Sequence, residues 1–117
     1  MVRDNFRFGM RAFSILASIA LSGVASASPV NTEWGRIVSI DTGWSQPYMA
    51  LEMSFAAINP DNCLWGGGFY TIPPDAAGYE TFQSLAMSAY FAGKEVALTI
   101  DGCAANRPKI ISVKVRG

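Results

Sequence analysis

Few side chains in this chain could perform acid–base or nucleophilic chemistry. Its 117 residues include no histidine, which excludes Ser-His-Asp and Cys-His catalysis and any zinc site built on imidazole. The carboxylates that could form a catalytic pair are Asp41, Glu52, Asp61 and Asp101. A glycosidase needs two carboxylates on either side of a substrate cleft, whereas we expect these four to be solvated at strand ends and turns. We therefore predict that the protein is not an enzyme.

Metal and phosphate binding also lack a recognisable pattern. The segment Asn59-Pro60-Asp61-Asn62 has the composition of a turn. It lacks the alternating acidic ligands and the distal glutamate of a calcium loop. The glycine triplet 66–68 lacks the Lys-Ser/Thr pair and the following helix of a phosphate-binding loop. We expect no metal and no cofactor.

Aromatic and hydrogen-bonding residues favour binding instead. Trp44, Ser45, Gln46 and Tyr48 crowd one predicted strand-to-strand connection, and Tyr70 lies beside the glycine triplet. Aromatic rings can stack on a sugar or a peptide, and the serine and the glutamine can supply hydrogen bonds. These five residues form the predicted ligand-binding set.

Two more aromatic residues, Trp65 and Phe69, flank the same triplet. They could belong to a binding surface or fill the interior of the fold. The interior is the favoured interpretation, because large aromatic side chains bury much apolar area.

Residues 1–27 have the three parts of a secretory signal peptide. Arg3, Arg7 and Arg11 give it a positively charged start. The apolar run is 12–24, and Ala25-Ser26-Ala27 is a small-residue cleavage site. The apolar run is shorter than the roughly 20 residues that span a bilayer. We expect export to the periplasm or the medium, cleavage after Ala27, and no membrane insertion after processing. Translation could start at Met1 or at Met10.

The processed chain, 28–117, is short enough to form one domain. It keeps six of the nine basic residues and eight of the nine acidic ones. A protein with this slightly negative balance has no bulk attraction for nucleic acid. Its cysteines, Cys63 and Cys103, are expected to form one disulfide, because an exported protein meets an oxidising environment.

The elements that would position these residues follow from the apolar periodicity. Alternating or β-rich runs predict strands, and apolar residues at helical spacing from Tyr79, closed by Gly93, predict one amphipathic helix. Tyr79, Phe82, Leu85, Ala86, Ala89 and Tyr90 make up its apolar face. The predicted strands are 34–41, 48–55, 64–72, a run through Val96, Leu98 and Ile100, and 109–116.

Strand, strand, strand, helix, strand, strand is the element order of the OB-fold, a small five-stranded and partly open barrel. We therefore predict a mainly β protein with one helix and the strand order 1-2-3-5-4. In that order the loops after strands two and four meet at one end. The first loop contains or adjoins Cys63 and the second contains Cys103, so the barrel and the disulfide are mutually consistent.

Three blocks of this pattern carry a family resemblance. They are the Trp-led first strand that reaches Ile40-Asp41-Thr42, the helix-Gly-Lys-strand block 82–100, and the closing strand that starts Pro108-Lys109-Ile110-Ile111. Together they resemble small secreted bacterial OB-fold proteins that include the B subunits of subtilase-cytotoxin and pertussis-like toxins. The resemblance implies binding to cell-surface glycans and a homopentamer whose helices line a pore. It transfers no glycan-binding residue.

Four basic residues, Arg107, Lys109, Lys114 and Arg116, fall within the last eleven positions. Nucleic-acid binding would use such a stripe, but export and net negative charge argue against it. Lys114 and Arg116 are expected to protect an edge strand from pairing with other chains. The overall prediction is a secreted, non-catalytic binding module for a glycan. The alternative is a periplasmic inhibitor or immunity-type protein that binds another enzyme.

Overall fold

In the computed structural model, the described residues are 28–43 and 46–117. The predicted signal peptide, together with Trp44 and Ser45, lies outside them. Six strands and one helix follow the order β1 (Val30–Asn31), β2 (Ile37–Gly43), β3 (Gln46–Met53), β4 (Phe69–Ile72), α1 (Tyr79–Ala92), β5 (Glu95–Ala104) and β6 (Arg107–Arg116). The prediction of a mainly β protein with one helix is therefore confirmed for this part of the chain.

The strands form a single sheet in the order β1-β5-β6-β4-β3-β2. It is a mixed sheet, because β4 pairs with β6 in parallel and the other pairs are antiparallel. The five longer strands keep the predicted neighbour order. The structure differs from the predicted five-stranded barrel in having a sixth strand and an open sheet.

The extra strand arises because residues 30–43 do not form one continuous strand. Val30 pairs with Ile100 of β5, and Gly35 makes an isolated bridge to Val96. Close packing explains the choice of glycine, since a Cβ at Gly35 would lie 2.7 Å from the Phe55 ring. The chain then turns into β2, which pairs with β3. One segment thus supplies both outer strands of the sheet.

Alternation of side chains builds the core, as the sequence predicts. In β3 the residues Met49, Leu51 and Met53 are buried, and Phe55 packs against them. In β5 the inward set Val96, Leu98 and Ile100 is almost fully buried. The rest of the core comes from Ile37, Tyr70, Ile72, Ala86, Ala89 and Ile110.

A β-bulge overturns one predicted face. Alternation along 109–116 predicts that Ile111 faces inward with Val113 and Val115, but Ile110 is buried and Ile111 is exposed. The register explains this, because Thr99 pairs with Ser112 while Ile100 pairs with Ile110. Ile111 is therefore the extra residue of a bulge, and the alternation changes face at that point.

Helix α1 has its predicted bounds. It begins after Gly78 and ends at Gly93, both in the left-handed conformation, and the Gly93 N–H bonds to helical carbonyls. Ala86 and Ala89 are buried against the sheet, with Tyr79 and Phe82 packed beside them; the other two predicted members of the face, Leu85 and Tyr90, are exposed. No helix among the described residues is long and apolar enough to cross a membrane.

The predicted third strand is shorter than expected. Leu64 to Gly68 belong to a long connection between β3 and β4, and only Phe69–Ile72 pairs in the sheet. The tight approach of Gly66 to Asn59 explains the glycine at this position, because a Cβ at Gly66 would overlap the Asn59 side chain. Gly68 has a positive φ of 102°, which also favours glycine.

Candidate functional site

The connection between β3 and β4, residues 54–68, is fastened to the β5–β6 hairpin by the predicted disulfide. Cys63 and Cys103 are bonded, with their Cα atoms 5.7 Å apart and 40 positions apart in sequence. Cys63 is buried, whereas Cys103 is exposed. The bond joins two loops at the same end of the sheet, as the strand order predicts.

Hydrogen bonds hold the same loop at several other points. The Asn59 side chain accepts from the Cys63 N–H and donates to the Cys63 carbonyl, both at 2.8 Å. The Asp61 carboxylate accepts from the Gly102 N–H at 2.7 Å. Asp61, considered above as a catalytic acid, thus holds the loop on the hairpin.

The tip of the loop reaches the turn between β5 and β6. The Trp65 N–H donates to the Asn106 carbonyl at 2.7 Å. Ala105 and Asn106 both have positive φ values, 51° and 64°, as in the two-residue turns that match the twist of a hairpin. Backbone contacts, and not only the disulfide, therefore fix the position of Trp65.

Large side chains gather at this point in a group that we call the rim cluster: Leu64, Trp65, Phe69 and Arg107. Phe69 and Arg107 are half-buried. Leu64 is 74% exposed and Trp65 is 55% exposed. The Arg107 guanidinium lies 4.9 Å from the centroid of the Phe69 ring and 6.0 Å from that of the Trp65 ring, within cation–π range. The expectation that Trp65 fills the interior is wrong, because its loop docks against the hairpin turn at the surface.

Parallel pairing brings the cluster together. Thr71 of β4 is opposite Lys109 of β6, so Phe69 and Arg107 occupy the preceding row on the same face. Glu52 of β3 is opposite Phe69 in that row and accepts a hydrogen bond from the Ser39 hydroxyl at 2.8 Å. The sheet thus continues the rim cluster into a polar surface.

Two buried polar atoms on or beside this face have no hydrogen-bond partner among the described residues. They are Oγ1 of the fully buried Thr71 and Nη1 of Arg107. Native proteins pair most buried polar atoms, so the Arg107 Nη1 atom has donor capacity that the fold itself does not use. It lies on the residue that stacks on the exposed aromatic rings.

Of the predicted ligand-binding residues, the structure describes Gln46, Tyr48 and Tyr70, and it does not place Tyr70 on the same surface as the other two. Gln46 is exposed and Tyr48 is half-buried at the start of β3, which is the end of the strand away from Glu52 and the rim cluster. Trp44 and Ser45 lie outside the described residues. The hairpin from β2 to β3 and the rim cluster are thus two separate surfaces.

Tyr70 belongs to the core rather than to a surface. Its side chain is 1% exposed, and its hydroxyl accepts a hydrogen bond from the Ile58 N–H at 3.1 Å. Burial raises the pKa of the Tyr70 hydroxyl, and the hydrogen bond from Ile58 partly opposes that shift. Because strand β4 alternates, Tyr70 points inward where its neighbour Phe69 points outward.

The proximity of Arg107 to the aromatic rings was missed by reasoning from sequence. The signal was present in the turn residues Ala104-Ala105-Asn106, which place Arg107 at the first position of a strand. Its row partner, however, depends on the parallel register between β4 and β6, which no local pattern encodes.

A search of protein-family models, curated proteins and solved structures finds no significant match to this chain. Among residues 28–43 and 46–117, no group of three or more acidic or cysteine side chains is arranged to hold a metal ion.

Proposed function

We propose that this protein is an exported, non-catalytic binding module that binds a glycan through the rim cluster. The observation that carries this proposal is the exposure of Trp65 and Leu64 on a loop that is fastened at several points. An exposed apolar group on an ordered surface is typical of an interaction site. The export part is supported by the signal-peptide pattern of residues 1–27 and by the disulfide, which persists in oxidising compartments.

Glycan binding is supported by the combination of side chains. Trp65 offers an aromatic surface that can pack on the apolar face of a sugar ring, and Arg107 and Glu52 offer charged hydrogen-bonding groups for hydroxyls. Because the loop is already ordered, little conformational entropy is lost when the ligand binds. The rim cluster therefore replaces the hairpin residues as the main proposed contact surface.

We also propose that the fold is a variant of the five-stranded OB barrel in which the first strand is broken in two. What supports this is the pairing of residues 30–35 with β5 while β2 pairs with β3. In OB-folds the face of strands two and three and the loops after strands one and four bind oligomers. The rim cluster adjoins the β5–β6 turn, which corresponds to the loop after strand four.

A glycan array probed with three forms of the protein tests the glycan proposal. Wild type is expected to be retained on a defined set of glycans. Trp65→Ala is expected to bind the same glycans at least about tenfold more weakly, because it removes the aromatic ring that would pack against the sugar. Phe91→Ala is the matched control, because Phe91 is an aromatic residue 78% exposed on α1, outside the rim cluster. Equal retention of the Trp65 variant and the wild type would refute the proposal.

Leu64 favours a second candidate function, inhibition of another enzyme of the cell envelope. An exposed leucine beside an exposed tryptophan forms an apolar surface of the kind that marks protein–protein contacts. A loop that is fastened at several points suits insertion into an enzyme cleft. Co-purification with an envelope hydrolase such as a lysozyme, lost in Leu64→Ala, would support this function. Failure to inhibit any envelope hydrolase would exclude it.

A further inference from the structure

A second charged surface lies at the opposite end of β6. A cleft of about 260 Å³ is lined there by Arg36, Gly93, Lys94, Glu95, Arg116 and Gly117. We call it the basic cleft. It lies nine residues along the strand from Arg107, which corresponds to roughly 30 Å at the rise of a β-strand. The basic cleft is therefore separate from the rim cluster.

Arg116 is held on two sides. Its guanidinium carbon lies 4.2 Å from the centroid of the Trp34 ring, and its Nε donates to the Glu95 carboxylate at 2.9 Å. The two terminal amino groups of Arg116 have no hydrogen-bond partner within the part of the chain that the structure describes. A guanidinium that is oriented but has free donors is suited to binding an oxyanion.

Arg36 reaches the cleft from the segment between β1 and β2. Its backbone N–H donates to the Ser54 hydroxyl, and its carbonyl accepts from the Ser54 N–H, both at 2.9 Å. Its side chain donates to the Gly93 carbonyl at the end of α1. The carbonyl end of a helix attracts a cation, so this contact holds Arg36 beside Lys94.

The balance of charge in the cleft is opposite to that of the processed chain. Residues 28–117 contain six basic and eight acidic side chains, yet three of the six basic residues line the cleft with a single carboxylate, that of Glu95. The side chains that line the cleft therefore carry a net positive charge. This concentration is what an anion site requires.

Edge protection, the role that the sequence predicts for Lys114 and Arg116, stays a prediction. Strand β6 lies between β5 and β4 in the sheet. Its pairing with the four-residue strand β4 is at Thr71 and Lys109, however, seven residues before Arg116. Lys114, two residues away on the same strand, does not line the cleft.

We propose that the basic cleft binds the oxyanion of a sulfate or phosphate ester. Two guanidinium groups and one ammonium group line this single small cleft, whereas a nucleic acid needs a groove that follows several phosphates. Both esters present the same oxygen geometry to the arginines. The proposal does not rest on glycan binding at the rim cluster.

The test is a titration followed by backbone amide NMR, with three probes that differ in one group: N-acetylglucosamine 6-sulfate, N-acetylglucosamine 6-phosphate and unmodified N-acetylglucosamine. The esters are expected to shift the amide signals of Gly93, Lys94 and Glu95, and the unmodified sugar is not. The relative affinities of the two esters distinguish sulfate from phosphate as the source. Arg116→Gln and Arg36→Gln are each expected to weaken binding about tenfold, as for one charge-assisted hydrogen bond.

Lys114→Gln is the matched control, because it removes one positive charge from β6 outside the cleft; its affinity is expected to change less than twofold. Equal losses in Lys114→Gln and Arg116→Gln would show bulk charge attraction and would overturn the proposal. So would shifts caused equally by the unmodified sugar, no shift with either ester, or tighter binding to a duplex DNA oligonucleotide than to both esters. All three substituted residues are exposed, so the variants are expected to fold.

Discussion

Removal of the disulfide is expected to destabilise the protein strongly and to release the rim cluster. The perturbation is the double substitution Cys63→Ser with Cys103→Ser. The bond closes a loop of about 40 residues, for which the chain-entropy model gives about 4 kcal/mol. For a domain of this size, 1 kcal/mol corresponds to roughly 4–8 °C in Tm. We therefore expect Tm to fall by about 15–30 °C.

Part of that fall depends on the contacts around the bond. The Asp61–Gly102 and Trp65–Asn106 hydrogen bonds join the same two loops as the disulfide. Without the disulfide, the two loops are no longer held together covalently, so these hydrogen bonds form at a greater cost in entropy. Amide hydrogen exchange at Gly102 and Trp65 is therefore expected to accelerate more than exchange in β3, whose pairing with β2 and β4 does not involve the loop.

Differential scanning calorimetry of the wild type, the double variant and the reduced wild type measures the effect. Reduced wild type and double variant are expected to agree within a few degrees, because both lack the same cross-link. A fall of less than about 5 °C, or exchange at Trp65 that does not change, would refute the view that the disulfide fixes this loop.

Three further substitutions test single features of the structure. Gly66→Ala is expected to lower the free energy of unfolding by about 1–3 kcal/mol, because the new Cβ would overlap the Asn59 side chain. Gly67→Ala is the matched control, because the space around its Cβ is open. Equal urea midpoints for the two variants would contradict the close packing of Gly66. Thr71→Val is expected to stabilise by about 1 kcal/mol in urea unfolding because it removes a buried hydroxyl that has no partner in the described chain; a loss of stability would mean that the hydroxyl is satisfied. Tyr70→Phe is expected to cost about 1 kcal/mol at pH 8 through loss of the hydrogen bond from Ile58. Burial raises the pKa of the Tyr70 hydroxyl above its usual value near 10. The stability that the protonated hydroxyl contributes is therefore fully present below about pH 10 and is lost as the pH rises through the raised pKa. The difference in free energy of unfolding between wild type and Tyr70→Phe should narrow above about pH 10, and a difference that stays constant would argue against burial of the hydroxyl.

Local patterns predicted the elements that local physics controls. The helix from Tyr79 is bounded by Gly93, whose left-handed conformation is what a helix end needs. The alternation in β3 and β5 predicted the large side chains of the core, because one face of each strand packs on it. Ala50 and Ala97, on the opposite faces, are buried as well. The compartment inferred from residues 1–27 predicted the disulfide.

Features that depend on distant contacts were not predictable. The pairing of Val30 with Ile100 links residues 70 positions apart, and two residues carry too little pattern to indicate a strand. The bulge at Ile111 changes the face of the alternation without any glycine or proline to mark it. The position of Trp65 depends on backbone bonds between two loops, so its exposure was predicted wrongly.

The sequence predicted the type of residue in the candidate site but not which residues form it. Aromatic residues near the glycine triplet do belong to a surface cluster, but its members are Leu64, Trp65, Phe69 and Arg107 rather than Tyr70. Strand alternation separates Phe69 from Tyr70, and this distinction needs the register of β4 against β3. The partner Arg107 needs the parallel register of β4 against β6.

Recognition of a glycan by the rim cluster is tested most directly by backbone amide NMR during titration with the glycan that an array retains best. The largest chemical shift changes are expected at Trp65, Asn106 and Arg107, with small changes at Gln46 and Tyr48. Shifts confined to the β2–β3 hairpin, with the rim cluster unchanged, would contradict it.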